Sequence, residues 1–192
     1  MTTRIVKLGL ALLSLSLVTA CMQRPPARLV VMAGQGTAAQ ISQTPKASIG
    51  EPIVSVPEYL DTYDVLIRTS PFSLKADSNL RWAEKPASAL ARLIAENGIA
   101  AGFSTTEPAD YEILVTVERF EPTREGIVVL CARWLVVDAR NRKSVMIRGG
   151  DTFYRSVASG PDGRIAAMEA AGRDLAHEVI RSLPSLKVGK HR

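Results

Sequence analysis

The chain has 192 residues and a net charge of +5, which arises from 24 basic and 19 acidic side chains. This length fits one domain of ordinary size, and the basic residues are scattered, which argues against a protein that binds nucleic acid. Its two cysteines are too few for the disulfide framework of a small secreted scaffold.

The first 20 residues are predicted to be a secretory signal peptide. Arg4 and Lys7 precede an apolar run at residues 8–18, and the segment ends in Val18-Thr19-Ala20-Cys21. A basic start, an apolar stretch of about 7–15 residues and small residues before the cleavage point are typical of such signals. A transmembrane helix needs about 20 apolar residues, so this run is too short to be one.

A cysteine directly after the cleavage point resembles the substrates of lipoprotein signal peptidase. The sequence therefore predicts lipidation at Cys21, which becomes an acylated N-terminus and holds the protein on a membrane. The next residue is Met22 and not Asp. By resemblance to known lipoprotein sorting, this favours the periplasmic face of the outer membrane. Loss of Arg4 and Lys7 with the signal peptide lowers the net charge from +5 to +3.

Residues 21–27 are predicted to be a tether, residues 28–184 a single domain, and residues 185–192 a disordered tail. The chain up to Pro52 is rich in proline, glycine and small polar residues, but the apolar run at residues 28–32 can form a strand on a sheet edge. Residues 53–56 and 65–68 are predicted strands, and residues 73–75 are a weaker candidate.

A first helix is predicted to begin near Pro86, with Leu90, Leu93 and Ile94 on its apolar side and Asn97-Gly98 as its stop. Residues 111–118 alternate as a long strand with one inward face. Residues 127–137 are apolar on both faces, which predicts a central strand with Cys131 as a small buried residue.

The chain is predicted to turn at residues 138–143 and to return as a strand at residues 144–148, which residues 152–154 continue or bulge. Asp162 is predicted to cap a last helix that ends before Pro184. The order of these elements predicts an α+β fold in one domain, with a mixed or antiparallel β-sheet and two main helices packed on one face.

No motif in the sequence points to catalysis, a metal or a cofactor. His177 stands alone on the last helix, and Cys131 has no nearby base. Gly34-Gln35-Gly36 and Gly149-Gly150 lack the Lys and Ser/Thr of a phosphate-binding loop and are predicted to be turns. Glu58, Asp61 and Asp64 are predicted to be solvated loop residues. We therefore expect a protein that is not an enzyme.

The most distinctive pieces of the mature chain come in a fixed order. They are Val54-Ser55-Val56-Pro57-Glu58-Tyr59-Leu60-Asp61, then Val65-Leu66-Ile67-Arg68, then Arg81-Trp82-Ala83-Glu84. Together with the lipoprotein signal, they resemble the ABC-type transport auxiliary lipoprotein family, the PqiC-like group. In that family a strand runs into Val-x-x-Pro-x-Tyr-Leu-Asp, and Arg-Trp-Ala-Glu lies downstream. The likeness spans residues 28–183.

The resemblance implies a non-catalytic docking partner in an intermembrane lipid transport system of the MCE type. Its other components would be an MCE-domain protein that bridges the periplasm and an inner-membrane permease and ATPase. The resemblance also allows a homo-oligomer. Partner contact is predicted for five residues, because Tyr and Trp are frequent interface anchors: Pro57, Tyr59, Leu60, Asp61 and Trp82. The alternative is structural, with Tyr59 packed over the turn and Trp82 at the start of the first helix.

A second function fits the same sequence. A lipid-anchored periplasmic protein without any transport role can regulate an enzyme of the cell envelope. Hydrolase activity is disfavoured, because the chain lacks a Gly-x-Ser-x-Gly elbow with a suitable base.

Overall fold

The computed structural model describes residues 26–34, 45, 47–141 and 144–183. The signal peptide, Cys21, most of the tether at residues 21–27 and the tail at residues 185–192 lie outside the described residues. The predictions for these segments are therefore not addressed by the structure.

The described part of the chain forms an α+β fold in a single domain, as predicted. Two helices and two β-sheets make up the domain. In chain order the elements are β1 Arg28–Val30, β2 Ile53–Ser55, β3 Asp64–Ser70, β4 Ser73–Trp82, α1 Pro86–Ala100, β5 Tyr111–Pro122, β6 Ile127–Asp138, β7 Val145–Ser156 and α2 Pro161–Ser182. The expectation of one sheet is corrected, because the strands before α1 divide between two sheets.

The smaller sheet has the strand order β1-β4-β3. β1 pairs with β4 in parallel and forms an edge, as predicted, while β3 and β4 form an antiparallel hairpin. β4 is ten residues long and much longer than the predicted strand at residues 73–75. Its polar residues have little strand preference of their own, and pairing with both neighbours compensates for this.

The larger sheet has the order β2-β5-β6-β7, so β6 is an interior strand, as predicted. Residues on one face of β5 and β6 pair across the strands and are buried, among them Ile113 with Val136 and Val115 with Trp134. α2 lies against β5, β6 and β7, and α1 packs on α2 and on β2. The apolar core lies between this sheet face and the helices.

Two glycines allow the helices to pack closely. Gly98 was predicted to stop α1, but it lies inside the helix and is buried. A Cβ at this position would come within 2.5 Å of Ile49 Cδ1, so a larger residue would not fit without a shift of that side chain. The helix ends at Ala100, ahead of Gly102, which has a φ of 89°. In α2, Gly172 faces α1, where a Cβ would lie 3.0 Å from a methyl group of Leu90.

The start of α2 differs from the prediction. Gly160, with a φ of 93°, occupies the N-cap position, and the cap has no side-chain hydrogen bond. Asp162 lies in the first turn instead, where its carboxylate pairs with Arg28 of β1. An acidic residue there still favours the helix, because it faces the positive end of the helix dipole. The helix ends at Ser182, before Pro184, as predicted.

The predicted turn at Gly149-Gly150 is also wrong. Both glycines lie within β7, and Gly149 is paired with Trp134 of β6. The indole ring covers Gly149 so closely that a Cβ would overlap it. Residues 152–154 continue the same strand.

Cys131 is half-buried and not buried as predicted. It lies on the other face of β6, where its thiol donates to Glu118 Oε2 at 3.4 Å. Neither described helix combines the length and the hydropathy needed to cross a bilayer.

Candidate functional site

The predicted partner motif forms the connection between the two sheets. Pro57 follows β2, and residues Glu58–Leu60 form a single 3-10 turn that leads to β3. The backbone N–H of Leu60 donates to the carbonyl of Pro57 at 2.8 Å, and that of Asp61 donates to Glu58 at 3.1 Å. Proline supplies the fixed φ that begins such a turn. The motif therefore sets the path of the chain from one sheet to the other.

Two of the five predicted contact residues lie in the core. Leu60 is 3% exposed and Trp82 is 2% exposed. Trp82 is the last residue of β4, and its backbone N–H donates to the carbonyl of Tyr63 at 2.7 Å. Of the other three, Tyr59 and Asp61 are exposed and Pro57 is half-buried, so a partner contact at these residues stays a prediction.

The surface around Asp61 carries paired charges. Asp61 Oδ2 lies 3.0 Å from Lys85 Nζ, and that ammonium group lies 5.9 Å from the centre of the Tyr63 ring. Asp64 pairs with Arg81 at 3.3 Å and belongs to β3, not to a loop as predicted. These exposed pairs form a polar rim beside the turn.

A buried carboxylate that the sequence analysis missed lies beneath Tyr59. Glu121 has no exposed surface, and its Oε1 accepts from Arg68 Nε at 2.6 Å and from Arg119 Nε at 3.0 Å. Its Oε2 accepts from the backbone N–H of Phe120 at 3.1 Å. The Tyr59 hydroxyl lies 3.5 Å from the same oxygen. The cluster joins β3, β5 and the motif turn where the two sheets meet.

Burial and the neighbouring charges shift the pKa values of Tyr59 and Arg68 in this cluster. Burial raises the pKa of Tyr59, and the negative charge of Glu121 raises it further. The hydrogen bond that Arg68 donates to Glu121 raises the pKa of Arg68. At neutral pH Tyr59 is therefore a neutral phenol and Arg68 a cation, which is the pairing that a buried carboxylate requires.

Strand alternation alone does not reveal this cluster. A register shift between Val117 and Arg119 changes which residues of β5 face the helices, so that Glu121 turns toward β3. Its partner Arg68 lies 53 residues away in sequence. The one local signal is a glutamate between Phe120 and Pro122 at the end of an apolar strand.

A groove of 820 Å³ runs between α1 and the segment that includes β2. Small side chains of α1 line one wall, among them Ala87, Ala91 and Ala95, and charged residues including Arg92 and Glu107 complete the lining. Arg92 is held by Glu84, by Glu96 at 3.0 Å and by the carbonyl of Met32. This mixed lining differs from the mostly apolar wall of a site for an acyl chain.

Metal binding has no support among the described residues, where no group of three or more His, Cys, Asp or Glu side chains converges. His177 is exposed on α2, as predicted.

Several solved structures resemble this fold. An uncharacterized protein aligns with a TM-score of 0.67 and 17% identity over 82% of this chain and 98% of its own. A protein from Xanthomonas campestris with the family label DUF330 aligns with a TM-score of 0.66 and 16% identity over 80% of this chain and 92% of its own. At these identities the likeness shows the fold alone. No match to the chain was found among curated proteins.

The family itself is shown by the sequence. The family model for the ABC-type transport auxiliary lipoprotein component matches residues 31–180, which include the motif turn, the Glu121 cluster and both sheets except β1. This match confirms the resemblance inferred from the motifs. The chain belongs to the family of ABC-type transport auxiliary lipoproteins.

Proposed function

We propose that the protein is the lipid-anchored, non-catalytic auxiliary component of an ABC-type transport system of the MCE type, which moves lipids between the two membranes of the cell envelope. Family membership over residues 31–180, together with Cys21 at the end of a lipoprotein signal, carries this proposal. The protein would act as a docking partner for the component that crosses the periplasm.

The proposed location is the periplasmic face of the outer membrane. Arg28, at the start of β1, comes seven positions after Cys21 in the chain. Even fully extended, this segment spans only about 25 Å, so the acylated cysteine would keep the domain close to the bilayer. Confinement to a surface raises the effective concentration of a protein for a partner that reaches the same surface.

The proposed direct partner is the MCE-domain protein, and through it the inner-membrane permease and ATPase. Tyr59 and Asp61 are the motif residues with exposed side chains, and Lys85 lies beside Asp61. Leu60 and Trp82 would support this surface from the core. A weak docking contact of this kind needs only a few aromatic and charged anchors.

A non-catalytic role agrees with the chemistry of the motif region. Glu121 beneath Tyr59 and Asp61 of the motif are each held in an ion pair. Pairing of this kind stabilises a surface and leaves little freedom for proton transfer.

Replacement of Cys21 tests the proposed function. In a strain without the gene, we expect weakened outer-membrane integrity and slower transfer of labelled phospholipid between the membranes. Wild-type protein should restore both, and the Cys21→Ala variant should restore neither, because it lacks the anchor.

The matched control is Cys131→Ala, which changes the other cysteine of the chain and should restore both properties. Full rescue by Cys21→Ala would contradict the need for an anchor. Weakened integrity with an unchanged rate of phospholipid transfer would instead favour a regulator of a cell-envelope enzyme.

A further inference from the structure

The tip of the β3–β4 hairpin presents a single aromatic ring to solvent. Pro71 and Phe72 form the turn, and Phe72 is 98% exposed. Turn positions usually carry small or polar residues, and a phenyl ring in water adds nothing to the stability of the fold. The ring makes almost no contact with the described domain, and its transfer from water to an apolar environment outside the domain would be favourable.

The backbone of this tip is braced. The Arg68 guanidinium donates to the carbonyl of Pro71 at 3.1 Å, and the backbone N–H of Phe72 donates to the Ser70 hydroxyl at 3.3 Å. The Thr69 hydroxyl donates to the carbonyl of Ser73 at 3.3 Å. Because Arg68 is also paired with the buried Glu121, the tip is tied to the core of the molecule.

The direction of β1 shows which of its ends is nearer the tip. β1 is parallel to β4, with Arg28 beside Leu80 and Val30 beside Trp82. β4 runs away from the hairpin tip, so β1 does too, and its first residue, Arg28, is at the end of the strand nearer the tip.

The length of the N-terminal segment matches the distance to the tip. Arg28 comes seven positions after Cys21, and Leu80, which pairs with Arg28, comes seven positions after Ser73, next to the tip. At about 3.3 Å per residue, each of these lengths is about 23 Å. An acyl chain on Cys21 can therefore enter a bilayer at the level of Phe72.

The charges near the tip are suited to a lipid surface. Residues 65–76 contain no Asp or Glu; the charge of Arg68 is compensated by the buried Glu121, and Lys75 is the exposed base of this segment. Arg124, in the neighbouring turn between β5 and β6, donates its backbone N–H to the carbonyl of Arg68 at 3.0 Å, and its side chain is exposed beside Glu125. Basic side chains close to a membrane are attracted to anionic headgroups.

We propose that Phe72 inserts into the boundary between headgroups and acyl chains of the same membrane that holds Cys21, so that the domain stands on it in one orientation. This inference rests on the proposed lipidation of Cys21. A protein interface of standard size needs about 800 Å² from each partner. The neighbours of Phe72 in the chain are Ser70, Pro71 and Ser73, which add little apolar area, so a lipid surface suits the ring better than a protein.

The proposed orientation determines which residues of the hairpin lie away from the membrane. Trp82, at the other end of β4, comes nine positions after Ser73 at the tip, which corresponds to about 30 Å. Asp61, Lys85 and Tyr63 lie near this other end. With the tip in the membrane, Asp61 and Lys85 lie at the end of the hairpin away from the bilayer, whereas the Tyr59 hydroxyl lies closer to the tip, next to Glu121 and its partner Arg68.

Fluorescence in vesicles tests the inference. The full-length lipidated protein carrying Phe72→Trp is reconstituted into vesicles of phosphatidylethanolamine with a minor fraction of phosphatidylglycerol, with or without brominated acyl chains. The matched control is Tyr63→Trp, which is exposed at the opposite end of the hairpin. After subtraction of the wild-type signal from Trp82 and Trp134, we expect blue-shifted emission and quenching by bromine for Phe72→Trp and neither for Tyr63→Trp.

Mass spectrometry of the N-terminal peptide shows whether Cys21 carries lipid, so a missing anchor can be distinguished from a Phe72 that does not insert. If the lipid is attached and the emission of Phe72→Trp is not quenched, the inference is overturned while the anchor stands. A blue shift without quenching also overturns it, because the ring is then buried against a second copy or another protein. A protein without lipid on Cys21 overturns the proposed anchor and the orientation derived from it.

Discussion

The carboxylate of Glu121 leaves water completely on folding, and three groups on two strands compensate for this. Arg68 and Arg119 supply charged hydrogen bonds, and the N–H of Phe120 supplies a third. Removal of one partner from a buried ion pair costs far more than the intact pair contributes, because a charge is left without compensation. Arg68 belongs to β3 and Glu121 to β5, so this pair joins the smaller sheet to the larger one.

Substitution of Glu121 should therefore be costly. Glu121→Gln keeps the shape of the side chain but removes its charge, and we expect a loss of about 3 kcal/mol in the free energy of unfolding. The expected loss is at the lower end of the range for buried pairs, because both arginines keep some contact with water. Urea denaturation followed by circular dichroism measures it.

The matched control for this prediction is Glu118→Gln on the same strand. Glu118 forms a solvent-exposed pair with Arg133, and such pairs contribute about 1 kcal/mol or less. Equal losses for the two variants would show that Glu121 has no special role in stability.

At the scale of elements, small residues set how closely neighbouring elements approach. Gly98 and Gly172 permit helix contacts, and Gly149 makes room for the ring of Trp134 within the larger sheet. Trp134 also donates its Nε1–H to the Ser182 hydroxyl at the end of α2, at 3.2 Å. Glycine in a strand is unfavourable by itself, so packing must be the reason for Gly149.

Adjacent glycines in β7 should respond differently to the same change. Gly149→Ala forces a methyl group into the Trp134 ring, and we expect a loss of about 1–3 kcal/mol from overpacking. A Cβ at Gly150 lies 3.1 Å from Arg133 Cγ and 3.4 Å from the Ala132 carbonyl oxygen, contacts that small shifts relieve, so the effect of Gly150→Ala should stay within about 0.5 kcal/mol.

Thermal unfolding of the two single variants under the same conditions provides the comparison. A Gly149→Ala protein as stable as Gly150→Ala would mean that the indole can move away at little cost. The importance of the contact between Gly149 and Trp134 would then be disproved.

At the scale of the whole molecule, the β3–β4 hairpin runs from the Phe72 tip, the proposed membrane contact, towards Asp61 and Lys85 of the proposed docking surface. The two ends of β4 are about 30 Å apart at about 3.3 Å per residue. The Tyr59 hydroxyl is closer to the tip, because it lies next to Glu121, whose partner Arg68 also donates to the carbonyl of Pro71. The proposed membrane contact and the charged part of the proposed docking surface are therefore at different ends of the hairpin.

Loss of the exposed motif ring should weaken docking without unfolding the domain. Tyr59→Ala removes a ring that is 37% exposed, and an interface anchor of this type contributes about 2 kcal/mol, or roughly thirtyfold in Kd. Binding of the purified variant to the MCE-domain protein measures the effect, with circular dichroism to confirm folding.

Tyr154→Ala serves as the control for docking, because this tyrosine is exposed on β7, outside the motif. It should bind as well as the wild type. If Tyr59→Ala also binds as well as the wild type, the motif turn has a structural role only.

The sequence was sufficient for the features that depend on local patterns. The apolar period of residues 111–118 and 127–137 identified two long strands, and the run at residues 86–94 identified α1. The ordered motifs around Tyr59 and Trp82 identified the family. Local patterns failed at Gly98, at Gly149 and at the polar β4, because packing against distant residues overrode the usual preference of each residue.

By itself, then, the sequence determined the α+β class, the family, the predicted anchor at Cys21 and the interior position of β6. Only the tertiary structure decided that the strands form two sheets, that Arg68 meets Glu121, and that β1 runs away from the Phe72 tip. The reason is physical: local patterns arise from neighbours in the chain, whereas these three features join residues about 50 apart, and their contacts exist only once the chain is packed.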